Sequence, residues 1–479
     1  MATSTRAVGS WCGVVLAAGM GVRMKSTRPK VLHPVCGLPM LAHATRALRN
    51  AGISRIVVVV PAGSERSLEF RSAAGAGAKL VAQESPRGTA DALLAARPAC
   101  GAARKILLTY ADVPLVRPET MRQMVDAHVK SGSAITMLTA RVDDPQGLGR
   151  VIRGQDGSVT AVVEEKDANP ATLAVNEINS GCYAFDARWI WATLPRIQRS
   201  RSGEFYLTDA VAYTIDAGRP VAAMAAADAR EVAGVNDRLQ LAQAEAVMRR
   251  RILERLMASG VSVVDPSTTY VDIQVEIGQD TVIAPNTHLR GSTRIGQACE
   301  IGPNAILTDV AVGDGSRVIA SFAESASIGA RVNVGPFSRI RPGTVIDDDV
   351  YIGNFAEIKN SHVGSGTHIG HFSYTGDATL GRRVNIGAGA VTCNFDGKAK
   401  HATIIGDDAS IGSDTMLVAP IRVGARAKTG AGAVATKDIP PGVTVVGVPA
   451  KPLVPAADHD GQGPDARRDV RRKVRKTAR

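Results

Sequence analysis

The chain has 479 residues, of which 45% are hydrophobic and 21% charged. This balance fits a globular protein of two to four domains and excludes wholesale disorder. No stretch approaches the ~20 apolar residues of a membrane-spanning helix, so none is expected. The formal charge of +12 is concentrated at the C-terminus, where residues 466–479 hold eight Lys or Arg and one Asp. The weakly basic body is a poor argument for nucleic-acid binding. Aromatic residues make up only 4%, against 48 glycines. A core so poor in rings has to pack small side chains in tight layers, which favours a repeat architecture for part of the chain. The six cysteines (Cys12, Cys36, Cys100, Cys182, Cys299 and Cys393) include no C-x-x-C pair and read as reduced cytosolic thiols. WCGVVLAAGMG follows Arg6 without a cleavage site, so no signal peptide is expected.

Between residues 12 and 235 short apolar runs alternate with helical patterns. Strands are predicted at 13–17, 56–60, 79–82, 106–109 and 134–138, with helices such as 40–51 and 90–96 between them. Strand–helix alternation predicts a Rossmann-like α/β domain with a mostly parallel sheet, whose ligands sit at the carboxyl ends of the strands. Residues 236–260 predict a bridging helix that starts at Asn236 and stops at Gly260. Its apolar stripe is Leu239, Ala242, Ala246, Ile252, Leu253, Leu256 and Met257.

From 261 onward an aliphatic residue recurs every six positions. It stands at Ile277, Ile283, Leu289, Ile295, Ile301 and Leu307, and again at Ile328, Val334, Ile340, Ile346, Ile352 and Ile358. Glycine often follows, as at Gly278, Gly296, Gly329 and Gly353. A period of six fits neither a helix nor a lone strand. It fits a short strand plus a tight turn, three of which make one triangular coil of a parallel β-helix. One excursion breaks the rhythm near 393–403 (CNFDGKAKHAT), and an excursion from a regular coil is a natural place for a site. The predicted organisation is an N-terminal extension (1–11), the α/β domain (12–235), the linker helix (236–260), the β-helix (261–452) and a disordered basic tail (453–479). The tail is the one feature favouring RNA, DNA or anionic lipid.

Candidate site residues follow the same order. Small residues with Gly19 and Gly21 after the first strand let backbone N–H groups approach phosphate oxygens, and Arg23 and Lys30 can neutralise them. QESPRGTA (83–90) offers amide and backbone donors suited to a base edge. Asp112, just after a buried strand, is either a turn residue or an oxygen ligand for a hard cation. On the β-helix, Arg341 and Lys359 replace the glycine that follows Ile340 and Ile358. They are eighteen residues apart and fall on equivalent corners one coil displaced, where two cations read as an anion clamp or as surface charge. His371, with Tyr374, Asn385, Ala388, Asn394 and Ser413 on adjacent coils, reads as a structural His or as a base near neutrality.

LAAGxGxRM with PKVLHP resembles the opening of the sugar-nucleotide pyrophosphorylases. The order of QE..GTA, YADVPL, GLGR, VEEKDA, EIN.G and GVNDR, joined to a hexapeptide β-helix, is narrower. It resembles the bifunctional bacterial enzymes in which a glucosamine-1-phosphate N-acetyltransferase is fused to an N-acetylglucosamine-1-phosphate uridylyltransferase. The resemblance spans residues 12–450 and implies a left-handed β-helix, a homotrimer, a cytoplasmic location and no nucleic-acid or membrane partner. It implies Mg²⁺, UTP, acetyl-CoA and glucosamine-1-phosphate as cofactor and substrates, and UDP-N-acetylglucosamine for cell-wall precursors as the product.

It further implies that Leu16, Ala17, Ala18, Gly19, Tyr110 and Ala111 surround the nucleotide, that Arg23 and Lys30 face the triphosphate as catalytic residues, and that Gln83, Gly88 and Thr89 read uracil. Asp112 and Asn236 would bind the metal, and Gly149, Glu164 and Asn179 the sugar. Arg341, Lys359, Tyr374 and Asn385 would hold glucosamine-1-phosphate, and His371 would be the general base. Asn394, Phe395, Ala388, Ser413, Ala431 and Lys451 would line the acetyl-CoA site, with Asn394 also close to the sugar.

Three departures stand out. Ala111 replaces a family Gly, Phe395 replaces a Tyr, and an Arg expected near Gly447 is missing, which leaves Lys451 to take its contact. Two other readings compete. In one the β-helix is only an oligomerisation module of a pyrophosphorylase, and in the other the basic tail makes the chain an RNA- or membrane-binding scaffold; neither explains both residue constellations.

Overall fold

A computed structural model describes residues 10–200 and 203–453. The predicted extension before Ser10 and the predicted tail from 454 lie outside the described residues. The chain divides into two compact units, Met1–Asp309 and Val310–Arg479.

The first unit is built on nine strands, β1 (Trp11–Leu16), β2 (Ile56–Pro61), β3 (Lys79–Gln83), β4 (Lys105–Tyr110), β5 (Ile135–Arg141), β6 (Arg150–Arg153), β7 (Val159–Val163), β8 (Glu177–Asp186) and β9 (Val221–Ala225). Its helices are α1 (Met40–Asn50), α2 (Leu68–Ala74), α3 (Thr89–Cys100), α4 (Pro118–Ser131), α5 (Ala187–Thr193), α6 (Asp209–Asp216) and α7 (Arg238–Ala258). The sheet runs β3-β2-β1-β4-β8-β5-β9, with the β6–β7 hairpin hung on β8. Strands β1 to β4 are parallel, and β8 is antiparallel to both its neighbours.

Every residue of β1 is buried, as a central parallel strand requires. Its side chains alternate. Trp11, Val15 and Ala17 join the core under α1, α2 and α4, while Cys12, Val14, Leu16 and Ala18 join the core under α3, α5 and α6. The predicted strands are all present, each extended at one or both ends, because backbone pairing continues past the apolar run, as at Pro61↔Gln83. The long strand β8 is absent from the sequence expectation. Its polar start, EINSG, hides its period, and its register shifts between Asn179 and Tyr183.

The bridging helix differs from expectation at both its start and its stripe. Asp237, not Asn236, caps α7, its side chain accepting the Gln240 N–H at 2.8 Å. The buried positions are Ala244, Met248, Ile252, Leu253 and Leu256, whereas Ala242 and Ala246 are exposed and Leu239 is 69% exposed. Alanine is at home on either face, so it carried no phase information. The side facing the body also accommodates Arg251, which donates to the Leu115 carbonyl at 2.6 Å and pairs with Asp228 at 3.3 Å.

The six-residue period closes into coils. In the first unit Ile277, Ile283 and Leu289 pair with Ile295, Ile301 and Leu307. In the second, Ile328, Val334 and Ile340 pair with Ile346, Ile352 and Ile358. All these pairings are parallel, and the strands form the three faces of a β-helix. The step is eighteen residues in these pairs, sixteen at Val312↔Ile328 and Val318↔Val334, seventeen at Ile352↔Ile369↔Ile386, and twenty-five at Ile386↔Ile411, across the excursion.

Glycine after the aliphatic residue is a matter of closeness between coils: a Cβ on Gly353 would lie 1.9 Å from the Gly370 carbonyl oxygen. A second periodic feature went unread in the sequence. Buried hydroxyls tie one coil to the next, as where Ser338 donates to the Gly353 carbonyl at 2.5 Å and accepts from Ala356 N–H at 3.2 Å. Thr367 does the same with Gly381 at 3.0 Å and Val384 at 3.1 Å. These contacts satisfy polar groups that the coil interior would otherwise leave without a partner.

One buried titratable group makes the α/β domain sensitive to acid. His128 on α4 is 1% exposed, lies 3.0 Å from the Thr136 hydroxyl and meets the Trp11 ring edge-on at 5.5 Å. Burial, and then the Lys105 charge, pushes its ring down from 6.5 to about 4. The unfolded chain therefore binds a proton that the folded one refuses. Its contribution is fully present above pH 6.5 and is lost as pH falls toward 4, by up to about 3 kcal/mol. Urea unfolding at pH 7.5 and 4.5 should show a smaller acid loss in His128→Asn than in the parent; identical losses would contradict this account.

Candidate active sites

The carboxyl ends of β1, β3 and β4 open into a cavity of about 270 Å³. Leu16, Ala18, Gly19, Gln83, Gly88, Thr89, Tyr110 and Asp112 line it, so the structure brings these predicted residues together. Glu204 joins them from the motif GEFYLTD (203–209), for which the sequence suggests no role of its own. Ala17 and Ala111 are buried at 2% and 0%, and the Ala111 N–H pairs with the Leu16 carbonyl at 3.0 Å. The extra methyl of Ala111 is therefore accommodated within the strand end, with Asp112 still at the cavity wall.

Two glycines are required by shape. Gly21 has φ +60, and a Cβ there would strike the Lys30 Cβ at 2.5 Å, so the turn lets the lysine stem pack against it. Gly88 has φ +120, and a Cβ would lie 2.4 Å from the Phe205 carbonyl oxygen. Phe205 bonds Arg87 O at 2.8 Å and Ala90 N at 3.0 Å, while Thr89 Oγ1 accepts Leu207 N–H at 2.9 Å. GEFYLTD thus clamps the loop that forms the cavity edge. The Gln83 amide nitrogen donates to Gly88 O at 3.1 Å and to Asp91 at 2.9 Å, which leaves its carbonyl oxygen as an acceptor.

Lys30 is 9% exposed, and its ammonium bridges Asp112 Oδ2 at 2.5 Å and Asn236 Oδ1 at 3.1 Å. Asn236 is free to face inward because Asp237 takes the helix cap. Two oxygen donors converging on one cation form a donor set suited to a hard divalent ion. The Lys30 ammonium is a stand-in, a cation already held by both oxygens. Among the described residues no group of three or more His, Cys, Asp or Glu forms a metal cage, so further ligands would come from phosphate and water. Arg23 is exposed and lines, with Asn236, Gly147 and Leu148, a second cavity of about 380 Å³, not the cavity of Gly19.

The β8 irregularity builds the remaining part. Gly181, at φ +78, lets the Tyr110 ring pack where a Cβ would sit at 2.8 Å. The bulge places Asn179, whose N–H bonds Gly149 O at 2.9 Å, beside Glu164, whose carboxylate lies 3.4 Å from the position of a Gly149 Cβ. Thr208, within the GEFYLTD segment, donates to Glu164 Oε1 at 3.0 Å. Burial raises the Glu164 carboxyl above its usual range, against the lowering effect of Thr208.

On the β-helix, one face gathers Arg341, Lys359, Tyr374 and Asn394. Arg341 pairs with Glu357 at 2.8 Å and Lys359 with Asp377 at 3.6 Å. Asn394, 8% exposed, donates to Asp377 Oδ2 at 2.5 Å and to the Tyr374 hydroxyl at 3.3 Å. The structure thus groups Asn394 with the cationic cluster. Lys400 also belongs here: the break in the rhythm marks the excursion 393–403 as a place for a site, but no pattern within it singles out Lys400. It stands beside Lys359, and the two amines interact so that the Lys359 pKa is raised and that of Lys400 lowered. Burial would raise the Asp377 carboxyl, but hydrogen bonds from Asn360 and Asn394 and the charges of Lys359 and Lys400 bring it below the usual range.

His371 is exposed at the corner between two faces, between His368–Ile369 and Ser373–Gly376. Asn385 stands apart from the cluster, on the neighbouring face, paired with His368 and Ser410. Ala388, Ser413 and Ala431 form one column on successive coils, stitched by Asp414 N to Ala388 O at 2.6 Å and Gly432 N to Ser413 O at 2.8 Å. Phe395 is 60% exposed, and Lys451 lies in an exposed strand paired with Val446.

A glycine-edged cavity of about 270 Å³ at parallel strand ends, joined to hexapeptide coils bearing a cationic cluster and an exposed His, defines a nucleotidyltransferase fused to a hexapeptide-repeat transferase. The family models agree. Residues 13–260 match the MobA-like NTP transferase domain, and residues 274–309 and 325–360 match the bacterial transferase hexapeptide (six repeats). The chain is 44% identical over 437 residues to the Bifunctional protein GlmU of Streptomyces avermitilis, covering 90% of this chain and 91% of that one. It is 45% identical to the Bifunctional protein GlmU of Pelobacter propionicus (90% and 94% covered) and 44% identical to that of Mycolicibacterium gilvum (90% and 88%). The chain belongs to the bifunctional GlmU family. It is a two-step enzyme of UDP-N-acetylglucosamine synthesis, acetylating glucosamine-1-phosphate and then transferring a uridylyl group to the product.

Replacing Gly88 by Ala should force the loop off Phe205 and raise the KM for UTP roughly tenfold or more, with acetyl transfer unchanged. Initial rates of pyrophosphate release would show this, and an unaltered KM would refute the shape requirement.

Proposed function

We propose that the two reactions use separate residue sets, uridylyl transfer within 12–235 together with Asn236 at the start of the 236–260 linker, and acetyl transfer within 261–452. The observation that carries this is that the cavity at the β1, β3 and β4 ends and the Arg341–Lys359–Tyr374–Asn394 cluster have no residue in common.

In uridylyl transfer Leu16, Ala18, Gly19 and Tyr110 hold the nucleoside, and Gln83, Gly88 and Thr89 read uracil. Gly149, Glu164 and Asn179 hold the N-acetylglucosamine moiety. Arg23 and Lys30 face the triphosphate. The sugar-1-phosphate oxygen attacks the α-phosphorus in line, and pyrophosphate leaves. No covalent intermediate is needed, so positioning and charge neutralisation supply the catalysis. Asp112 and Asn236 would hold Mg²⁺, which when bound supplies Lewis-acid neutralisation of phosphate oxygens. Lys30, which bridges those two oxygens, releases its ammonium to the phosphates.

In acetyl transfer Arg341 and Lys359 bind the sugar phosphate, with Tyr374, Asn385 and Asn394 around the sugar. Ala388, Ser413, Ala431, Phe395 and Lys451 line the acetyl-CoA site. His371 takes a proton from the amine as its nitrogen attacks the thioester carbonyl. The C–N bond forms, the C–S bond breaks, and the proton passes on to the departing thiolate.

A homotrimer in the cytoplasm fits the exterior. Among the described residues no helix is long and apolar enough to cross a membrane. Phe337, Phe355 and Phe372 stand on successive coils at 56–61% exposure, and the first two stack at 5.5 Å. A ladder of exposed rings supports burial against other copies of the chain.

One assay with glucosamine-1-phosphate, acetyl-CoA, UTP and Mg²⁺, following free thiol and pyrophosphate separately, tests the division. Asp112→Ala should abolish pyrophosphate release and spare thiol release in the first step. His371→Ala should lower thiol release by roughly 10²–10⁴ and spare uridylyl transfer from supplied N-acetylglucosamine-1-phosphate. Equal loss of both activities in either variant would count against separate sites.

A further inference from the structure

We propose that Asp396 and His401 form a positioning clamp that sets the excursion 394–402 against the cationic cluster, so that the site is shaped for the sugar phosphate before it arrives. The inference rests on Arg341 and Lys359 binding that phosphate.

The clamp is a closed circuit of hydrogen bonds. Asp396 Oδ1 accepts the N–H groups of Lys398 and Ala399, both at 2.8 Å. Its Oδ2 meets His401 Nε2 at 2.7 Å. The backbone closes the neck: His401 N–H donates to Asn394 O at 2.8 Å, Asp396 N–H to Ala399 O at 3.2 Å, and Phe395 bridges Lys400. The Ala399 N–H, the His401 ring and the Lys398 N–H together hold the Asp396 carboxyl well below its usual range, so it remains an anion.

Neither clamp residue is among the contacts of the cluster, but both residues that reach the cluster from the excursion depend on the clamp. Asn394, at the neck, supplies its amide to Asp377 and Tyr374. Lys400, next to His401 in the chain, lies against Lys359. Two lysines held side by side repel each other, and Asp377 offsets only part of that charge. An untied loop would relieve the repulsion by swinging Lys400 into solvent. Tied at its base by Asp396 and His401, the loop keeps both amines and the Arg341 guanidinium in place for a dianion, and the ordering cost is met in folding and not in binding.

The test is steady-state acetyl transfer by the full-length chain, with glucosamine-1-phosphate and acetyl-CoA varied in turn. His401→Ala should raise the KM for glucosamine-1-phosphate roughly tenfold, the effect of losing about one well-formed polar contact. Its kcat should stay within about twofold, with the KM for acetyl-CoA and uridylyl transfer unchanged. His401→Gln, which can still donate to Asp396, should restore most of the affinity. Tryptic cleavage after Lys398 and Lys400 should be faster in the Ala variant than in the Gln variant. An unchanged KM in His401→Ala, or a Gln variant as impaired as the Ala variant, would overturn the clamp. Arg341→Ala in the same assay separates the two claims. If it raises the KM while His401→Ala does not, the clamp alone is wrong; if it too leaves the KM unmoved, the phosphate assignment fails and the clamp with it.

Discussion

In-register parallel pairing of the backbone is the constraint on which both units depend. In the α/β sheet it aligns Leu16 with Val59 and with Tyr110, so adjacent strands end together and their following loops open on one side. In the coils it stacks Ile340 on Ile358, so that Arg341 and Lys359, each one residue further, come to adjacent rungs. A shift of one residue in either place would turn the inward side chains outward and scatter the polar groups that the chemistry needs.

The same constraint explains which small residues cannot grow. Parallel coils approach so closely that Gly353 has no room for a methyl group, and buried Ser and Thr hydroxyls fill the polar gaps beside it. Where a larger residue stands in the glycine position, as Arg341 and Lys359 do, the coil has exchanged closeness for charge. The excursion after Cys393 goes further. It abandons the repeat for nine residues, and the backbone it frees brings Asn394 and Lys400 to a face that regular coils would leave with only two cations.

Electrostatics in the two sites follow one logic. Lys30 stands between Asp112 and Asn236, and Lys359 and Lys400 stand together beside Asp377. The Lys30 charge is matched by one carboxylate, whereas Asp377 is shared by two amines. Both reactions handle a sugar phosphate, and on the proposed roles each site meets it with charge already in position.

Much of this was legible in the residue order. The six-residue aliphatic period determines the coils, because only a strand-plus-turn unit repeats at that length, and LAAGMG and YAD mark the ends of two parallel strands. Other features were not legible. Strand β8 was hidden by its polar start and its bulge, yet that bulge aims Asn179. Asp237 caps α7, which leaves Asn236 to meet Lys30, a contact across 206 residues that no local pattern encodes. Arg23 and Gly19, near neighbours in the chain, line different cavities, while Lys400 and Lys359, 41 positions apart in the chain, lie together. Periodicity is a short-range property and survives in the sequence; the meeting of distant side chains depends on strand register and loop path, which only the folded chain decides.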